Sequence, residues 1–112
     1  MPTLAAIREQ RRSERLKQLR LGAKRVAASC PRGQVWLFGS LARGDWDAYS
    51  DVDLLAIAPT KPAADALADA LLAAQLGDDV LPLTQERWDQ LTTSDEPYWR
   101  EIRSEAIRLD GP

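Results

Sequence analysis

The sequence predicts an α/β (α+β) domain, a small mixed sheet of about three strands flanked by helices. Three observations carry that reading. Short apolar runs, bounded by Gly, Pro and Asp, alternate with longer segments of helical spacing. The 112 residues suffice for one compact domain and not for two. A composition of 45% hydrophobic and 29% charged residues supports a folded core and argues against disorder. We expect a single domain over residues 1–112, with a basic helix at 1–30, a central core at 34–83 and closing helices at 84–112.

Thr3 can cap a long helix that runs to about Cys30. Leu16, Leu19, Ala23, Val26 and Cys30 fall on one face of it. Leu4 and Ile7 lie off that stripe, so the first turns are free to pack elsewhere. Pro31, Arg32 and Gly33 end the helix. QVWLFG is then a buried strand, and SLARGDWDAYS is a turn or short helix followed by a loop. DVDLLAIA is a second strand, closed by Pro59. Thr60 and Pro62 open the helix KPAADALADALLAAQL, which Gly77 ends. DVLPL is a third strand. TQERWDQL and PYWREIRSEAIRL are two further helices, the second started by Pro97. No internal repeat, linker or low-complexity segment interrupts this order of α-β-β-α-β-α-α.

Charge and residue usage narrow the chemistry. The sequence contains no histidine, so histidine acid–base catalysis is excluded. Cys30 is the only cysteine, which leaves no internal disulfide and no zinc cluster. Any metal is therefore a hard cation held by carboxylate oxygens. Residues 1–32 hold nine Lys and Arg against two Glu, while residues 33–112 hold six against fifteen Asp and Glu. The basic stretch reads as a solvated helix face or as a surface for an acidic partner. A pI near 5.1 does not suit a nucleic-acid binder. No apolar run reaches the span of a membrane helix, and the charged N-terminus lacks a signal-like apolar region, so a cytoplasmic protein is expected.

The stretch LFGSLARGDWDAYSDVDLLAI, Leu37 to Ile57, concentrates the chemistry. Asp51 and Asp53 are two apart on the second strand, which sends both side chains to one face. Two carboxylates there repel each other unless a cation joins them. Gly39 and Ser40 follow the neighbouring strand. Glycine lets the backbone approach a ligand, and free N–H groups beyond it can hold phosphate oxygens. Arg43, in the same turn, adds a charged fork for a phosphate. If residues 79–83 form a strand, Asp79 joins the pair as a third carboxylate; an ordinary turn at Asp78 and Asp79 is the alternative. Asp78 would point the other way, to cap the preceding helix end or stay solvated. Phosphate donors beside metal ligands suit metal-assisted nucleotidyl transfer.

These residues resemble a known group. GSLARG, then SDVDLL, then an aspartate opening a later strand looks like the nucleotidyltransferase superfamily that includes DNA polymerase beta. More narrowly the chain resembles the minimal nucleotidyltransferases of prokaryotes. The resemblance extends to DVLPLTQERW and to the closing YWREIRSEAIRL, where Ala106 stands at a position often held by glycine. It implies that Gly39, Ser40 and Arg43 grip the β- and γ-phosphates of a nucleotide. It implies that Asp51 and Asp53 hold two magnesium ions, and that Asp79 binds the catalytic one and accepts the proton of the attacking hydroxyl. Ser50 would shape the loop before Asp51. Trp46 and Tyr49 either stack on a base or pack within their loop, and Trp36, Trp88 and Trp99 are core.

Larger relatives carry a second domain for the acceptor. Its absence from this sequence implies that the protein dimerises or that a second protein supplies the other wall of the cleft. The resemblance names that partner as a HEPN-domain toxin. The chain would then be the antitoxin of the pair and would transfer AMP from ATP to a tyrosine of the toxin. Two alternatives stand beside this reading: a catalytically silent antitoxin that neutralises its partner by binding, and a nucleotidyltransferase for a small molecule. The off-stripe Leu4 and Ile7, among the N-terminal arginines, fit either a frayed terminus or a docking surface.

Overall fold

The computed structural model describes residues 1–45 and 50–111. Its elements are α1 (Leu4–Ala27), β1 (Gln34–Phe38), α2 (Ser40–Arg43), β2 (Asp53–Ala58), α3 (Lys61–Ala73), β3 (Asp79–Thr84), α4 (Gln85–Thr92), α5 (Pro97–Glu105) and β4 (Ile107–Arg108). Local chemistry sets most boundaries. Thr3, Thr60 and Thr84 each accept a backbone N–H from the first turn of the helix they precede, which satisfies a donor that has no partner within the helix. Among the described residues, no helix is long and apolar enough to cross a membrane.

The strands form one mixed sheet in the order β3-β2-β1-β4. β1 pairs antiparallel with β2 and with β4, whereas β2 and β3 run parallel across the α3 crossover. Both faces of the sheet are covered. Val35 and Leu37 of β1, with Leu54 and Ala56 of β2, pack under Leu19 and Ala23 of α1 and Leu67, Ala68 and Leu71 of α3. The alternate residues Leu55 and Ile57, with Trp36 and Phe38, pack on the other face against Trp88 of α4 and Ile102 and Trp99 of α5. Trp36 and Trp88 meet with ring centroids 5.5 Å apart and planes tilted by 48°. Central burial explains why β2 reads as a continuous apolar run rather than an alternating one.

The long N-terminal stripe packs as its spacing predicts: Leu19 and Ala23 are buried, and Leu16, Val26 and Cys30 lie against the same core. Leu4 stays 86% exposed.

Two expectations are corrected. The closing segment is not one helix through Leu109, so the sheet has four strands and not about three. α5 stops at Glu105, and Ala106 takes an extended conformation. Ile107 and Arg108 then pair with Leu37 and Trp36. The bond from Leu109 N–H to the Val35 carbonyl, 2.8 Å, extends the pairing, and the Asp110 carboxylate accepts the Val35 N–H at 2.8 Å. The free edge of β1 needed these partners, and that need outweighs the modest helical preference of IRL. Second, β2 begins at Asp53. Asp51 is exposed and precedes the strand, so strand alternation does not set its direction.

Candidate active site

One end of the sheet gathers the chemistry. The register places Phe38 of β1 opposite Asp53 of β2, and Asp53 opposite Asp79 of β3. Gly39 follows Phe38 directly, so the turn that leaves β1 and the carboxylates that open β2 and β3 share this end.

Gly39 has φ 82° and ψ −161°, a region open to glycine and strongly disfavoured for other residues. A second constraint acts on the same residue. A Cβ built there would stand 2.5 Å from the Asp53 carboxylate oxygen Oδ2. The absent side chain thus gives Asp53 its space beside the turn. Ser40 to Arg43 form a single helical turn, α2, closed by Gly44 in the left-handed region at φ 92°.

So short a helix needs outside support, and two side chains from distant elements brace it. Arg12 reaches from α1 to donate Nε to the Leu41 carbonyl and Nη2 to the Ala42 carbonyl, both at 3.0 Å. Glu105, at the end of α5, accepts the Gly39 N–H at 3.0 Å and pairs with Arg43 Nη1 at 3.2 Å. Arg12 had a signal in the sequence: it extends the Leu16–Leu19–Ala23 stripe by one turn and puts a cation on an apolar face. Glu105 had none, because its partners lie more than sixty residues away.

Asp78 braces the start of β2 and remains exposed to solvent, one of the two readings expected of it. Its carboxylate accepts the Val52 N–H at 2.7 Å, while the Val52 carbonyl accepts from Asp78 N–H at 2.9 Å and Asp79 N–H at 3.3 Å. This double tie fixes the backbone between Asp51 and Asp53 against the start of β3.

Electrostatics single out Asp53. Partial burial pushes its proton affinity up, and the charges of Asp79, Asp51 and Asp78 push it further; Arg43 opposes them. The Arg43 guanidinium is itself held more firmly protonated, chiefly by its hydrogen bond to Glu105 and, after burial acts in the opposite sense, by Asp45. Asp53 is therefore the point on which the field of the acids converges. Oxygen-only donors with excess negative charge are the donor set of a hard divalent cation. Among the described residues, no three acidic side chains stand close enough to hold a metal ion as they are. In donor type and charge the set fits a hard divalent cation. Trp46 and Tyr49 lie outside the described residues.

Residues 16–109 match the family described as nucleotidyltransferase domain. No curated protein and no solved structure matches the chain. The matched segment covers all four strands, the Gly39 turn, the three aspartates and both interior helices that pack on the sheet from one side. The mixed sheet with helices on both faces is compatible with the polymerase beta-like nucleotidyltransferase fold. The chain belongs to the nucleotidyltransferase domain family.

Proposed function

We propose that the protein transfers AMP from ATP to a hydroxyl group of a partner protein, and that it does so as the antitoxin of a HEPN toxin whose tyrosine is the acceptor. The observation that carries the transfer chemistry is the register that sets Asp53 against Asp79 beside the Gly39 turn. The toxin and its tyrosine rest on the resemblance of the GSLARG and SDVDLL stretches to minimal nucleotidyltransferases.

In this reading Gly39, Ser40 and Arg43 hold the β- and γ-phosphates. Asp51 and Asp53 hold two magnesium ions, and Asp79 joins them at the catalytic one. Bound magnesium neutralises charge on the phosphates and on the departing pyrophosphate. The acceptor oxygen forms a bond to the α-phosphorus, the bond from that phosphorus to the bridging oxygen breaks, and pyrophosphate leaves. Asp79, exposed at the start of β3, takes the hydroxyl proton. Arg43 steadies the leaving group's charge in this reading.

The test co-expresses the chain with a HEPN-domain protein and weighs that protein intact. Catalysis predicts a mass gain in whole AMP units with the wild type and none with Asp79→Ala. An unmodified yet inhibited partner would replace catalysis with occlusion. ATP affinity that ignores both magnesium and Asp53→Ala would reject the site itself.

A further inference from the structure

Glu105 is a carboxylate in an unexpected place. Its side chain is 9% exposed. A carboxylate so largely shielded from water needs donors, and Glu105 takes two from the turn after β1. Oε1 accepts the Gly39 N–H at 3.0 Å, and Arg43 Nη1 reaches the two carboxylate oxygens at 3.4 and 3.2 Å. Both donors are ones that the proposed function assigns to the nucleotide's phosphates, and the inference here rests on that reading.

The carboxylate is not on a loose arm. α5 precedes it, with Ile102 buried in the core one turn earlier. β4 follows it at once and is tied to β1 through Leu37–Ile107 and Trp36–Arg108. Leu109 and Asp110 add the further bonds to Val35. The strand that delivers Gly39 and the strand that trails Glu105 are therefore neighbours in one sheet. These ties hold Glu105 beside the turn.

We propose that Glu105 is a resident anion of the phosphate cradle, a positioning residue that holds Gly39 and Arg43 in place and sets how tightly the cradle holds a phosphate chain. An incoming triphosphate must take the Gly39 N–H from Glu105 and share Arg43 with it. The fixed negative charge weakens the grip on the β- and γ-phosphates, and on the pyrophosphate they become. It thereby favours release of that product. Asp45, whose carboxylate meets Arg43 Nε at 3.4 Å, competes for the same guanidinium from the exposed side.

The substitution Glu105→Gln tests this. The amide oxygen can still accept the Gly39 N–H, but the charge is gone. Inorganic tripolyphosphate with magnesium in excess is the probe, titrated calorimetrically into the full chain at two salt concentrations. Glu105→Gln should bind about tenfold tighter than wild type at low salt, with a smaller gain at high salt. A residue with a merely structural role would give equal or weaker binding, following any loss of thermal stability. If the wild type binds, Arg43→Gln weakens it and Glu105→Gln fails to tighten it, the Glu105 proposal alone is overturned. If the wild type does not bind, or binds regardless of Arg43→Gln, the nucleotide reading fails and takes this proposal with it. Should Glu105→Gln not fold, the wild type serves. The Gly39 amide and the Glu105 carboxyl carbon should both shift in NMR spectra on titration, and a still Glu105 signal would overturn the proposal.

Discussion

Replacing Gly39 by alanine should separate two demands that meet at one residue. The backbone there, φ 82° and ψ −161°, is a conformation that costs a residue with a side chain about 1–3 kcal/mol. The new methyl would also stand 2.5 Å from Asp53 Oδ2 and force that carboxylate to move. The carboxylate is the free end of a short side chain, so its displacement adds little to the folding cost. It does, however, take Asp53 away from the turn. We therefore expect Gly39→Ala to lose about 2 kcal/mol of stability and most of its magnesium-dependent ATP affinity. At about 2.1 cal/mol/K of unfolding entropy per residue, that loss lowers Tm by roughly 8 °C.

Gly44→Ala provides the comparison. Its φ of 92° is strained for alanine as well, but the nearest atom to its Cβ is Arg12 Nε at 3.8 Å, an ordinary contact. It should lose about 1 kcal/mol and bind ATP as the wild type does. Equilibrium denaturation in urea and ATP titration with magnesium, run on both variants, make the comparison. The reasoning is refuted if Gly39→Ala is no less stable than Gly44→Ala, or if it binds ATP normally.

Two further outcomes follow from the same geometry. Asp53 holds its proton more strongly in the folded chain than its ordinary value of 3.8 implies, so the native state is penalised as pH rises above that value and the carboxylate ionises. Asp53→Asn should accordingly raise Tm in metal-free buffer at neutral pH, with the gain fading as pH falls towards 3.8, and a gain that is flat with pH would contradict the assignment. Arg12→Ala leaves the carbonyls of two buried residues, Leu41 and Ala42, without their donor and should cost about 1–3 kcal/mol. Arg12→Lys should restore only part of it, because an ammonium cannot reproduce the two-pronged bond, and full recovery by lysine in urea denaturation would show that charge alone matters.

The parts of the molecule that were legible in the sequence are those whose causes are local. Thr3, Thr60 and Thr84 cap their helices within three residues. The apolar runs QVWLFG and DVDLLAIA announced two strands, and the Leu16–Leu19–Ala23 stripe announced the face by which α1 meets the core. That Gly39, Ser40, Arg43, Asp53 and Asp79 gather at one end of the sheet was legible because each element type restricts where its end can go. β4 was not, since two residues of pairing leave no periodic trace and the segment continues a plausible helix. Asp51 was placed too rigidly, because a strand's alternation was extended beyond the strand. The roles of Glu105, Arg12 and Asp78 depend on partners 26 to 66 positions away, and no window of sequence contains both ends of such a bond.

Ribosomes deliver a chain from its N-terminus, and the order in which the pieces emerge has a consequence here. Gly39 and Arg43 appear early, followed by Asp53 and Asp79, yet the carboxylate that braces the turn arrives only with α5 and β4. Until then the outer edge of β1 is unpaired and exposes backbone donors and acceptors that a neighbouring nascent chain could take up. The Gly39–Glu105 bond spans 66 positions, so the nucleotide end is completed by one of the most distant contacts in the fold and among the last to form. A chain not yet extended to Glu105 can therefore carry every residue of the GSLARG and SDVDLL stretches and still hold them without this brace. The nucleotide end waits for the short edge strand that pairs with β1.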